Sequence, residues 1–123
     1  MKIKELTRAE EQIMQVLWEL KKTFVKNIIN ELPNPKPAYN TVSTIVRILE
    51  TKGFVGHEAF GKSHQYYPLV SREDYKSFAT QKLLTNYFEN SVESMFSFFV
   101  KENKIDLKEA DEIFKLLEKL KKK

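Results

Sequence analysis

The sequence predicts a mostly α chain with one small β wing, an α+β fold in two parts. Residues 1–70 read as a winged helix-turn-helix domain and residues 71–123 as a helical domain. Three observations carry this. Two amphipathic helical periods flank a proline-broken turn at 33–37. Helical spacing then gives way to two extended segments between Phe54 and Pro68. The rest of the chain returns to helical spacing with many large apolar groups to hide.

The first helix announces itself at Thr7-Arg8-Ala9-Glu10, the spacing of a capping box. Leu6, just before it, is placed to staple the entry against the first turn. Ile13, Met14, Val16, Leu17, Trp18 and Leu20 give a broad apolar face, with Trp18, the single tryptophan, assigned to the core. Lys21 and Lys22 close the helix, and Thr23-Phe24-Val25 reads as a short extended link. A second helix over Val25–Leu32 turns Ile28, Ile29 and Leu32 inward. Pro33, Pro35 and Pro37 then forbid helix, because proline removes a donor and restricts the residue before it.

The helix over Tyr39–Lys52 organises the chain. Val42, Ile45, Val46 and Leu49 recur on one face, while Asn40, Ser43, Thr44, Arg47 and Thr51 fall opposite. Gly53 ends it by accepting the left-handed conformation of a helix C-terminus. A front of short hydroxyls, an amide and one arginine suits base edges in a DNA major groove. By itself this pattern favours an ordinary amphipathic surface helix, so the neighbours decide. A short helix, a turn and a polar-fronted helix outline a helix-turn-helix.

Phe54–Ala59 and Gln65–Pro68 read as two strands joined by a loop over 60–64, with Gly61 supplying the turn. Lys62 and His64 sit at or beside the tip, where a wing meets the phosphate backbone. The candidate partner is therefore a double-stranded DNA operator. Tyr39, Asn40 and Thr41 are expected near phosphates or the first bases, Ser43, Thr44 and Arg47 at base edges, and Lys62 and His64 on the flanking backbone.

Ser71 caps a further helix carrying Tyr75, Phe78, Ala79, Leu83, Leu84, Tyr87 and Phe88. Val92, Met95, Phe96, Phe99 and Val100 follow beyond a break near Asn90-Ser91. A last helix, capped by Asp106, lines up Leu107, Ala110, Ile113, Phe114, Leu117 and Leu120 and closes on Lys121-Lys122-Lys123. Burying one large apolar side chain is worth about 1.5–3 kcal/mol, so a dozen cannot stay in water. The tail must fold back or pack against a second copy. A homodimer is expected, joined through Leu84, Phe88, Val92, Met95, Phe96, Phe99, Ile113, Phe114, Leu117 and Leu120.

Other chemistries find little support. The 123 residues include no cysteine, which removes disulfides, thiolate metal sites and thiol nucleophiles. Three glycines are too few for a phosphate-cradling loop, and no serine sits in a nucleophile elbow, so no catalytic residue is assigned and no cofactor is expected. The two histidines, His57 and His64, suggest no metal site, since His57 and its neighbour Glu58 would point to opposite faces of a strand. The net charge of +4 splits evenly about Tyr75, so folding and pairing must concentrate the positive groups. No apolar run approaches the roughly 18 residues that span a bilayer. Met1–Leu6 lacks the apolar heart of a secretion signal. No membrane insertion and a cytoplasmic location are expected.

Leu6-Thr7-x-Ala9-Glu10 with Ile13-Met14 and Leu17-Trp18 resembles the opening of the BlaI/MecI penicillinase-repressor family, which includes the copper-responsive CopY repressors. Asn40-Thr41-Val42-x-Thr44 and Leu49-x-x-Lys52-Gly53-Phe54-Val55 resemble its recognition helix and the turn into its wing. Tyr66-Tyr67-Pro68 and Val70-Ser71-Arg72-Glu73 are similar to the strand and helix start that follow. The resemblance implies a homodimeric repressor on a pseudo-palindromic operator. In the β-lactam branch it also implies relief through a membrane-bound sensor metalloprotease pathway, by cleavage inside the dimerisation domain. The matching neighbourhood here is Phe98-Phe99-Val100, with Phe98 standing where that branch has asparagine. The copper branch carries C-terminal cysteine pairs, which this chain lacks. Ile48 stands where the family often has arginine, leaving Arg47 as the one basic side chain on this helix before Lys52. A winged-helix interaction module that binds no DNA is the alternative from another class.

Overall fold

A computed structural model of the chain describes residues 3–121. The order of elements is α1 (Arg8–Leu20), β1 (Thr23–Phe24), α2 (Val25–Glu31), α3 (Tyr39–Thr51), β2 (Val55–Phe60), β3 (Ser63–Pro68), α4 (Arg72–Phe88), α5 (Val92–Lys101) and α6 (Leu107–Lys121). They fall into two compact units, Met1–Ala79 and Thr80–Lys123. Among the described residues no helix is long and apolar enough to cross a membrane.

In the first unit the capping box forms as its residues dictate. Glu10 N donates to Thr7 Oγ1 at 3.2 Å, and Thr7 N donates to Glu10 Oε1 at 2.9 Å. The same carboxylate receives Lys52 Nζ at 2.6 Å, so one buried acid ties the start of α1 to the end of α3. Burial pushes its pKa up. The Lys52 ammonium and the Thr7 donors outweigh that and hold Glu10 below its ordinary 4.5.

The core behind these caps is closed. Met14, Leu17, Ile28, Val46, Leu49 and Phe54 are fully buried where the three helices meet the sheet. Trp18 is only partly buried, because its ring N–H reaches out to Val70 O at 2.9 Å. Tyr75 Oη accepts from Leu6 N at 3.0 Å, which draws the opening turns of α4 into this core. After α3, Gly53 takes φ +84° and Phe54 N reaches back to Leu49 O, turning the chain into β2.

The sheet is antiparallel in the order β1-β3-β2, with Thr23 opposite Tyr66 and His57 opposite Tyr66 on the other side. Two sequence expectations change here. Thr23-Phe24 is a paired strand rather than a mere link, and two residues are too few for a period to show. Pairing in the hairpin runs on to Phe60 and Ser63, so the loop shrinks to Gly61 and Lys62 and His64 belongs to β3.

In the second unit, Glu89 and Asn90 adopt positive φ (50° and 62°) and break α4 from α5. Asn90 Oδ1 accepts from Thr85 Oγ1 at 2.7 Å and Gln81 Nε2 at 3.0 Å, which holds that break. Ser91 caps α5 through Ser94 N, and Asp106 caps α6 through Glu109 N. Despite well-formed ends, no described residue from Thr80 onward is buried. Lys122 and Lys123 of the closing lysine run lie outside the described residues.

Candidate nucleic-acid interface

Exposure along α3 locates its free face. Val42, Val46 and Leu49 are sealed, while Tyr39, Asn40, Thr41, Thr44, Arg47, Ile48 and Thr51 are exposed. At roughly 100° per residue, Thr44 and Thr51 lie nearest the centre of that face, with Ile48 and Thr41 toward one edge and Asn40 and Arg47 toward the other. Thr44 Oγ1 donates to Asn40 O at 2.8 Å, leaving the hydroxyl oxygen to accept from a base amino group.

Ser43 corrects the sequence expectation: it is 7% exposed and cannot face base edges. The buried sector of α3 is wider at Ser43 than its apolar stripe alone shows. The Ser43 hydroxyl instead accepts from Arg47 Nη2 at 3.1 Å, so the serine orients the arginine from behind.

Arg47 leans into a crevice between α3 and the wing. Tyr39, Ser43, Arg47, Lys62, His64 and Tyr66 line it together with Val25, enclosing about 410 Å³. The charged groups on this wall are cationic, which attracts phosphate. Burial, with the Glu50 charge adding to it, raises the Tyr66 phenol above its ordinary 10.0 and keeps the hydroxyl a neutral donor. An adjoining hollow of about 470 Å³ adds Lys26, Asn27 and Phe60 beside Tyr39 and His64. Lys26 had no distinguishing mark in the sequence, where it looks like any surface lysine.

Lys62 is exposed at the wing tip. His64 is exposed too, but its ring stacks on His57 at 4.2 Å with 10° between the planes. His57 Nδ1 lies 2.5 Å from Glu50 Oε2 of α3. A Glu50–His57–His64 chain therefore fastens the wing to the recognition helix. Sequence spacing hides it until the turn at Gly53 folds β2 back along α3. Among the described residues, no three His, Asp or Glu groups converge as metal ligands would.

The residues assigned to pairing all lie in the second unit. Leu84, Phe88, Met95, Phe96, Phe99 and Ile113 are half-buried, and Val92, Phe114, Leu117 and Leu120 are exposed. Phe98 is exposed in mid-α5, with its ring 5.6 Å from that of Phe88.

A helix-turn-helix with a basic wing beside its second helix defines a winged-helix protein of the DNA-binding kind. Comparison with known proteins narrows that class. Residues 6–119 match the model of the penicillinase repressor family, and the chain belongs to that family. It is 28% identical over 116 residues to the methicillin resistance regulatory protein MecI of Staphylococcus aureus, covering 94% of each chain. It is 25% identical over 118 residues to the penicillinase repressor of Bacillus licheniformis, covering 95% of this chain and 92% of that one. The solved DNA-binding domain of the repressor BlaI superposes with a TM-score of 0.53 at 28% identity, covering 60% of this chain and 92% of that domain.

Proposed function

We propose that this chain is a DNA-binding transcriptional repressor that works in the cytoplasm as a homodimer on a pseudo-palindromic operator. Residues 1–70 read DNA and residues 71–123 pair the copies. The helix α3 enters the major groove, with Tyr39, Asn40 and Thr41 at its leading end, Thr44 against base edges and Arg47 at the wing-side edge. Lys62 and His64 grip the flanking phosphates. The observation that carries this reading is the exposed polar face of α3 set beside a cationic crevice, in a chain of the penicillinase repressor family.

Selection from random duplexes with the full chain tests it. The expected product is an inverted repeat whose half-sites lie about one helical turn apart. Arg47→Ala then discriminates two modes. A guanine contact costs roughly 1–3 kcal/mol and relaxes one position, whereas a phosphate contact weakens every sequence alike and lowers the salt slope by about one. A chain that ignores duplex DNA at low salt contradicts the reading and leaves the interaction module.

Repression in this reading ends by cleavage at Phe98-Phe99 along a membrane-bound sensor metalloprotease pathway. The bond lies within α5, so the helix must unwind locally before a protease can bind it extended. Mass spectrometry of the chain from induced cells, with and without such a protease, tests the route. An uncut chain under full derepression points to ligand control instead.

A further inference from the structure

Ile48 is the one large aliphatic side chain on the otherwise polar outer face of α3, and it is 42% exposed. Val46, two residues earlier and about 200° around the helix, has no exposure at all. Ile45 packs against the core, but Ile48 is turned away from it. Four residues separate Ile48 from Thr44, so the two stand on the same strip of the helix, with Thr41 and Thr51 beside them. Ile48 stands between Thr44 and Thr41, about 40° from the former, and because these flanking side chains are short the isoleucine projects beyond them.

We infer that Ile48 is a specificity residue that packs on the C5-methyl group of a thymine in each half-site. This rests on the DNA reading proposed above and adds a named base to it. The thymine methyl is the apolar group that base edges present in the major groove; the other positions there are hydrogen-bond donors and acceptors. A β-branched side chain pressed against a cytosine amino group or a guanine carbonyl would strip water from a polar atom and return no hydrogen bond. Against thymine it hides two apolar surfaces from water at once. Stiffness helps, since isoleucine on a helix holds one dominant rotamer and gives up little freedom on contact.

Uracil scanning of the selected duplex tests the assignment, because uracil differs from thymine by that methyl alone. Each thymine of a half-site is replaced singly, and affinity is measured at one salt concentration for the natural chain and for Ile48→Ala. One position per half-site should lose about fourfold with the natural chain, the equivalent of ~0.8 kcal/mol for one buried carbon group. At that position Ile48→Ala should be indifferent to the exchange, while its response elsewhere is unchanged. Half-sites without thymine, or a loss that persists undiminished in Ile48→Ala, overturn the assignment alone. So does a selected site that tolerates uracil everywhere. Failure to select any consensus overturns the DNA reading and this inference with it. Circular dichroism of Ile48→Ala, expected to match the natural chain because the side chain lies outside the core, separates lost contact from lost fold.

Discussion

The two units handle the same raw material in opposite ways. Met1–Ala79 hides Met14, Leu17, Val46, Leu49 and Phe54 completely, whereas Thr80–Lys123 leaves Tyr87 76%, Leu107 87% and Phe114 63% exposed. Both contain well-capped helices with clear apolar stripes, so helix quality does not explain the difference. What differs is closure. In the front unit three helices and a three-stranded sheet enclose one another's stripes, and the second unit has only helices, whose described side chains enclose nothing. We propose that the unit which completes itself reads DNA and that the one which does not pairs with a second copy.

The largest expected effect breaks the tail. Leu117→Glu with Leu120→Glu should cost the dimer about 3–6 kcal/mol, roughly 10²- to 10⁴-fold in dissociation constant, and sedimentation should report single chains. The melting of the front unit should be nearly untouched. Next comes the reverse insult. Phe54→Ala, at the best-sealed large side chain of the front, should destabilise that unit by about 3–5 kcal/mol in thermal melts at any protein concentration. If its effect scales with protein concentration instead, the front unit does not fold independently of pairing.

A smaller effect sharpens the picture of the front. Glu10→Gln removes a charged partner from Lys52 and should cost about 1.5–3 kcal/mol. Because the carboxyl is held below 4.5 in the folded chain, its contribution is whole above that pH and fades as pH falls through the lowered value. The difference in melting temperature between Glu10→Gln and the natural chain should therefore shrink on acidification below 4.5. The smallest effect lies at the wing tip. Lys62→Ala should leave stability and base preference alone and reduce the salt slope of binding by about one, read from affinities across salt concentrations.

Much of the front was legible because its signals are local. The Thr7/Glu10 box, the 33–37 prolines, the stripe of α3 and Gly53 each act over a few residues. What escaped depends on elements meeting. Ser43 looked free because helical arithmetic cannot tell how wide the buried sector grows once neighbouring elements pack. Glu50 and His57 gained their pairing only through the fold of the chain at Gly53. Lys26 gained significance only from the wing that lies across from it. The tail presents the converse case. Its helices could be placed from spacing and caps, yet their exposed faces speak only of surface that needs cover.

Sedimentation equilibrium of the full chain without DNA, at micromolar and nanomolar concentration, bears most directly on that cover. Twice the 14.5 kDa of one chain is expected, falling toward a single chain only on extreme dilution or when Leu117 and Leu120 are charged. A stable single chain at micromolar concentration would contradict it, since two reading helices would then have nothing to hold them in register.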